Sequence, residues 1–367
     1  MNDLEYMKLA VELARKGAGK VSPNPMVGAV IVKNDKIIGK GYHKKFGSSH
    51  AEINALKDCV ASPKDATIYV TLEPCCHYGK TPPCTEAIIK SGISRVVIGT
   101  LDVNPVVAGK GSYQLQQHGI QVDIGVLEHE CKHLIRFFKK FIIDKKPFVL
   151  MKYAMTMDGK TATYTGASKW ISCEKSREKV HQLRSEFSAI MVGITTVLKD
   201  DPMLNCRIEN GRNPIRIICD TTLKLPLTSQ IVKTAHSIET YIATAQTDDE
   251  KLIPYKELGC KFITVDKKGD FINLNQLMTK LGKLQIDSVL LEGGGMLNWS
   301  ALNERIVQEI AVFVSPKVFG GSPHTPVTGQ GISIPDNAIK LQPCSFSSVG
   351  SDFLIESEVI YPCSQEL

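Results

Sequence analysis

The sequence predicts an α/β protein built in two domains. Short β-branched runs alternate with helical patterns along most of the chain, and the alternation is interrupted once, at "DKKP". No apolar run approaches the length that spans a bilayer, so a membrane protein is not expected. A chain of 367 residues has room for two or three domains, and its hydrophobic fraction of 43% lets each bury a core.

The elements follow in order. "MNDLEYMKLAVELARKG" reads as an amphipathic helix, expected to be capped by Asp3 and stopped by Gly17. It lacks a continuous apolar stretch, so a signal peptide is not expected. "VGAVIVK" reads as a strand and "DKIIGKGYH" as its hairpin partner. Helix "HAEINALKDC", strand "ATIYVTLEP", helix "TEAIIKSG", strand "SRVVIGTLD", helix "GSYQLQQHG" and strand "IQVDIGV" come next. One charged helix, "EHECKHLIRFFKKFI", leads to Lys145, Lys146 and Pro147. Proline breaks the helical pattern there and the charges favour exposure, so the boundary is set between domains 1–145 and 146–367. The second domain offers the strands "FVLMKYAMTMDG", "SAIMVG", "IRIICD", "TYIATA", "CKFITV", "DSVLLEGGG" and "EIAVFVSP".

Charge and cysteine usage narrow the function. A net charge of +6 that is not gathered in a tail gives no reason to expect nucleic acid, and leaves small anionic substrates open. The 11 cysteines, an odd number, point to a reducing cytoplasm with clustered thiols on metal rather than in disulfides.

Such a cluster lies at "LEPCCHYGKTPPC", with "HAE" upstream. Zinc favours thiolates and imidazoles in tetrahedral geometry, and a catalytic zinc keeps one position open for water. H-x-E followed by P-C-x-x-C is the signature of zinc deaminases; here H-x-E and P-C are present, but the second cysteine is not two residues further on, since Cys76 is adjacent and Cys84 comes much later. Cys76 adjoins Cys75 and would point to the opposite side of extended chain, whereas Cys84 follows two prolines at a helix start. His50 also stands at a helix start, and helix N-termini stabilise thiolates. The ligands are therefore assigned as His50, Cys75 and Cys84, with Glu52 as the proton shuttle between water and departing ammonia. A closed structural site of three cysteines and a histidine is the alternative.

At these residues the chain resembles a known family. "PNPMVGAVIV", "GYH", "HAE", "YVTLEPC", "GKTPPCTEAI" and "VAGKG" look like the deaminase half of the bifunctional riboflavin-biosynthesis deaminase/reductases. "KYAMTMDGKTA", "GASKWIS", "TVLKDDPMLNCR" and "LEGGG" resemble the reductase half, in the same order. The resemblance implies a cytidine-deaminase-like three-layer αβα domain followed by a dihydrofolate-reductase-like α/β domain. It implies zinc-dependent deamination of a diaminopyrimidinone carrying a ribosylamino 5′-phosphate, then NADPH-dependent reduction of the ribosyl group to ribityl. Small phosphorylated pyrimidines would be the partners, and the enzyme a homo-oligomer. The rival class is a zinc nucleoside or tRNA deaminase with an appended nucleotide-binding domain; the expected basic, aromatic groove is not visible.

The resemblance also implies binding residues. Asn24, His43, His77 and Lys80 would hold the pyrimidine and its phosphate. Asn24 suits an amide-like ring edge, and the prolines on either side stiffen its backbone. Ala154, Trp170, Thr196, Asp200 and Thr221 would meet NADPH, together with a loop of Gly294, Gly295, Met296, Leu297, Asn298, Trp299 and Ser300. A glycine run between a strand and a helix lets N–H groups approach a phosphate. Lys152, Ser168, Arg184, Leu204, Arg207 and Glu292 would face the reductase substrate, and arginines make bidentate contacts with phosphate. Cys76 and Tyr78 stand where the family pattern usually has serine and histidine.

Overall fold

Asn2, not Asp3, caps the first helix, α1 (Asp3–Arg15). The Asn2 side chain accepts from the Glu5 N–H at 3.0 Å, and the Glu5 carboxylate accepts from the Asn2 N–H at 2.9 Å. This reciprocal box satisfies two otherwise open donors. Asp3 is drawn to the sheet instead, where its carboxylate accepts from Tyr69 Oη and Arg95 Nη2, both at 2.7 Å.

The computed structural model describes residues 1–78, 82–104, 107–321 and 324–362. Its contacts divide the chain into two units, Met1–Lys145 and Lys146–Leu367. The first unit continues with β1 (Gly28–Lys33), β2 (Lys36–Tyr42), α2 (Ala51–Lys57), β3 (Thr67–Leu72), α3 (Cys84–Lys90), β4 (Arg95–Thr100), α4 (Lys110–Gln117) and β5 (Gln121–Ile124). The charged stretch after β5 forms two helices, α5 (Glu128–Leu134) and α6 (Arg136–Asp144), because Ile135 leaves helical geometry and is buried. The sheet runs β2-β1-β3-β4-β5; β1 is antiparallel to both neighbours, and β3, β4 and β5 are parallel.

Helix α2 carries two of the predicted site residues and lies directly on β2. Glycine makes this possible: a Cβ on Gly41 would lie 2.3 Å from the Ala51 carbonyl oxygen and from the Ala55 nitrogen. One on Gly39 would lie 2.4 Å from the Ala55 oxygen. Such approaches are closed to any larger residue without moving the helix.

The second unit contains β6 (Phe148–Thr156), α7 (Glu174–Glu186), β7 (Ala189–Gly193), α8 (Ile194–Asp200), β8 (Ile215–Cys219), α9 (Gln230–Lys233), β9 (Thr240–Thr244), α10 (Asp249–Glu257) and β10 (Lys261–Thr264). After these come β11 (Lys267–Lys268), β12 (Phe271–Ile272), α11 (Leu274–Lys283), β13 (Ser288–Leu291), α12 (Gly295–Asn303), β14 (Glu309–Ser315), β15 (Lys340–Val349) and β16 (Asp352–Ile360). Its main sheet runs β10-β9-β8-β7-β13-β6-β14-β16-β15. Every pairing from β10 to β14 is parallel, and the closing hairpin β15–β16 is antiparallel. Parallel strands buried on both faces read as apolar runs, as β7 ("AIMVG") and β13 ("SVLL") do.

Candidate functional site

In the first unit three chain segments converge. His50 is the N-cap of α2, Cys75 follows β3, and Cys84 opens α3. His50 Nδ1 lies 3.3 Å from Cys84 Sγ and 3.5 Å from Cys75 Sγ, and the Cys84 N–H donates to Cys75 Sγ at 3.3 Å. One nitrogen and two sulfurs, all within 4.8 Å of one another, suit a single zinc ion. Ligand bonds of about 2.0–2.3 Å in a tetrahedron place donors about 3.5–3.8 Å apart. Three donors leave the fourth position of a tetrahedron to water or substrate. Among the described residues Cys76 is not in the cluster; it is half-buried, and burial raises its thiol pKa.

The thiol charges fit ligation, while the hydrogen bond with Cys75 raises His50 to about 9, holding a proton that a bound cation would displace. Cys75 is pushed down to about 4 by its hydrogen bond with Cys84 and, despite burial, by His50. Cys84 is pushed up, first by that same bond to the Cys75 sulfur and then by burial. The pair thus shares one negative charge, with Cys75 as its thiolate, and a cation would draw the second proton off. Glu52 is 3% exposed. Burial, then the charge of Cys75, lifts its carboxyl to about 7, where a proton can be both taken and given near neutral pH.

A cavity of about 220 Å³ opens beside the cluster and is lined by Asn24, His43, His50, Glu52, Cys75 and His77. Burial lowers the His43 pKa, so its ring is neutral. His43 Nδ1 donates to the Ser49 carbonyl at 3.1 Å, which leaves Nε2 to accept from Asn24 Nδ2 at 3.2 Å. The orientation of the Asn24 amide is thus fixed from behind. His77 is exposed at the cavity rim, while Lys80 lies outside the described residues. Asp102, Asn104 and Val107 also line the cavity and were not singled out from sequence. They sit just past β4; "DVN" carries no pattern that marks a pocket, and Val107 opens the quoted "VAGKG", which does not mark it as a pocket residue.

In the second unit Lys152 on β6, Arg184 on α7 and Glu292 beyond β13 meet in one partly buried network. Arg184 grips Glu292 with two N–H groups, at 2.7 and 3.1 Å, and Lys152 Nζ lies 3.5 Å from Glu292 Oε2. Burial would push Glu292 up, but the two cations hold it down at about 2. Burial lowers the Lys152 pKa, against the pull of Glu292. Arg184 Nη1 also donates to the Asn205 carbonyl at 3.1 Å, tying in the segment that carries buried Leu204 and exposed Arg207. Arg207 Nε donates to His181 Nε2 at 3.1 Å, and His181 was not expected from sequence. Ser168 is half-buried.

The glycine run of "LEGGG" is only partly a loop. Gly294 caps α12, and Gly295 to Ser300 are helical, with Ser300 Oγ donating back to the Met296 carbonyl at 2.9 Å. Asn298 is buried and donates to the Pro326 carbonyl at 2.8 Å, Met296 is exposed, and a Cβ on Gly329 would lie 2.3 Å from the Trp299 ring. Thr196 sits beside Gly294, and Leu297 beside Gly193, so the starts of α8 and α12 adjoin. Such paired helix starts offer N–H groups to phosphate. Thr221 lies past β8, where its carbonyl accepts from Thr244 Oγ1 at 3.2 Å, and Ala154 lies on β6. Trp170 is exposed, with the Arg177 guanidinium 4.7 Å from its ring centre, and Asp200 ends α8 on the surface.

Known proteins were compared with this chain. The profile of the RibD C-terminal domain matches residues 147–355, and that of the cytidine and deoxycytidylate deaminase zinc-binding region matches residues 1–100. The riboflavin biosynthesis protein RibD of Actinobacillus pleuropneumoniae is 48% identical over 99% of this chain and 96% of its own. That of Escherichia coli is 39% identical over 87% of this chain and 89% of its own. The crystal structure of a diaminohydroxyphosphoribosylaminopyrimidine deaminase/5-amino-6-(5-phosphoribosylamino)uracil reductase from Thermotoga maritima superposes with a TM-score of 0.87 at 39% identity, covering 98% of this chain and 99% of that one.

Proposed function

The chain belongs to the RibD family of bifunctional riboflavin-biosynthesis enzymes, a zinc-dependent deaminase joined to an NADPH-dependent reductase, and on that premise we propose how its residues divide the work. Residues 1–145 deaminate 2,5-diamino-6-(5-phosphoribosylamino)pyrimidin-4-one. Residues 146–367 reduce the resulting ribosyl group to ribityl, giving 5-amino-6-(5-phosphoribitylamino)uracil. The observation that carries the reading is the convergence of His50, Cys75 and Cys84 beside buried Glu52 at the cavity.

His50, Cys75 and Cys84 would hold the zinc, which when bound would acidify water into a hydrolytic nucleophile at neutral pH. Glu52 takes the proton and hands it to the leaving ammonia, a role suited to a carboxyl near 7. Asn24, held by His43, reads the amide-like edge of the pyrimidinone. His77 and Lys80 serve the ribose phosphate. In the reductase half, NADPH when bound would supply the hydride for the ribosyl carbon. Thr196, Thr221 and the start of α12 from Gly294 hold the cofactor, supported by the adjoining helix starts. Lys152, Arg184, Arg207 and Glu292 hold the substrate and its phosphate, and Glu292 remains anionic across the working pH range.

No helix among the described residues is long and apolar enough to cross a membrane. The odd cysteine count supports a reducing, cytoplasmic setting, and the family resemblance supports a homo-oligomer. The ligand assignment is tested by metal analysis of cysteine variants. Cys75→Ser and Cys84→Ser are expected to lose zinc and ammonia release, while Cys76→Ser keeps both. Zinc loss in Cys76→Ser with retention in Cys84→Ser would overturn the assignment.

A further inference from the structure

Glu73 lies two residues before the ligand Cys75, yet belongs to neither the metal cluster nor the expected substrate contacts. It is 3% exposed. Its carboxylate, itself part of the cavity lining, accepts three backbone N–H groups from the chain after β4: Asp102 at 3.1 Å, Gly109 at 2.9 Å and Ser112 at 2.9 Å. The bonds are divided. Oε2 holds Asp102 and Gly109, and Oε1 holds Ser112 in the first turn of α4. Helix α4 has no cap of its own, because its N-cap is Gly109, with φ 79° and no side chain. Glu73 therefore caps α4 from another strand, where the helix dipole favours a negative charge. The packing leaves little slack: a Cβ on Gly111 would lie 2.2 Å from the Pro74 oxygen and 3.3 Å from Glu73 Oε1.

The gripped amides bracket the cavity wall. Asp102, Asn104 and Val107 line the cavity, and the bonds to Asp102 and Gly109 hold the chain on either side of them. The Asn104 N–H donates to Asp102 Oδ1 at 2.8 Å, so the place of Asn104 depends on where Asp102 is held, and the Val107 N–H donates to the Asn104 carbonyl at 2.8 Å. A buried carboxylate is costly unless its oxygens are satisfied, and here backbone donors of the wall itself satisfy it. We propose that Glu73 is a positioning residue of the deaminase: its carboxylate clamps the Asp102–Asn104–Val107 wall against the metal side of the cavity and so sets substrate affinity. The inference rests on the deaminase reading of this cavity.

Glu73→Gln tests it. The amide keeps the shape but turns one acceptor into a donor that faces backbone N–H groups, so part of the clamp opens. The expected result is a KM for the diaminopyrimidinone raised by about tenfold or more, the effect of losing one charged hydrogen bond. The kcat, zinc content and reduction of the deaminated compound stay near wild type. Gly111→Ala, whose added Cβ would press on the Pro74 carbonyl and the Glu73 carboxylate from the α4 side, is expected to raise KM in the same way. An unchanged KM, or a loss of zinc and kcat at unchanged KM, would overturn the proposal. Should either variant fail to fold, hydrogen exchange in the wild-type protein decides: the Asp102 and Gly109 amides are expected to be protected, and exchange at open-loop rates would refute the clamp. Absence of deamination in wild type would remove the functional reading itself, and the positioning role with it, while leaving the amide protection in place.

Discussion

Glu292 shows how a single residue is controlled by its surroundings. Its carboxyl is held at about 2 against an ordinary 4.5, so the ionised form contributes stability that is fully present above the ordinary value and is lost as pH falls toward 2. Replacing Arg184 with Met removes the bidentate partner and leaves Lys152 alone against a buried charge. The expected cost at neutral pH is about 3 kcal/mol. The acid-unfolding midpoint, followed by circular dichroism, is expected to move to higher pH; an unmoved midpoint would show that Arg184 does not hold the carboxylate down. The family resemblance set these residues around one substrate, but their ion pairing was not legible: the residues of the Arg184–Glu292 pair lie 108 positions apart. His50 and Glu52 were legible for the opposite reason, because H-x-E is a local pattern whose spacing carries the chemistry.

At the scale of elements, site geometry depends on close packing. Helix α2 brings His50 and Glu52 to the cavity, and it can lie on β2 only because residues 39 and 41 are glycines. Gly41→Val is expected to push α2 outward and to cost about 1–3 kcal/mol, with zinc content and ammonia release falling together. Metal analysis beside a thermal melt would check this, and full zinc loading at wild-type stability would contradict it. Arg216 plays a comparable part in the second unit. It is wholly buried without a carboxylate partner among the described residues, and donates to Thr240 Oγ1, Thr234 Oγ1 and the carbonyls of Met203, Ile231 and Ile238. Arg216→Met leaves several of these acceptors unsatisfied, at about 1–3 kcal/mol each, and frees the segment that leads to Leu204 and Arg207. A lower melting temperature with a raised reductase KM is expected. The strands of both sheets were readable where they are apolar runs, and the hairpin β15–β16 was not. Strand β15, "KLQPCSFSSV", is exposed along nearly its whole length and carries Pro343, so it has neither alternation nor β-branched density. The cap of α1 was misplaced by one residue because Asn2 and Asp3 are both good caps, and Tyr69 and Arg95 draw Asp3 to the sheet while Asn2 forms the box with Glu5.

The whole molecule joins two chemistries on separate cores, one cluster in the first unit and two in the second. The metal cluster belongs to the first unit, and the Lys152–Arg184–Glu292 network to the second. Stripping zinc with a chelator is therefore expected to abolish ammonia release while leaving reduction of the deaminated compound intact. Parallel loss of both activities would show that the halves do not act independently. The most direct test follows ammonia release and NADPH oxidation separately, on the diaminopyrimidinone ribosyl phosphate and on its deaminated product, with wild type and Glu52→Gln. Wild type is expected to carry out both steps. Glu52→Gln is expected to lose about 100-fold or more in ammonia release, the scale of general acid–base catalysis, and to reduce the deaminated product at the wild-type rate. Ammonia release undiminished in Glu52→Gln, or no NADPH oxidation by zinc-loaded wild type on the deaminated product, would contradict the account.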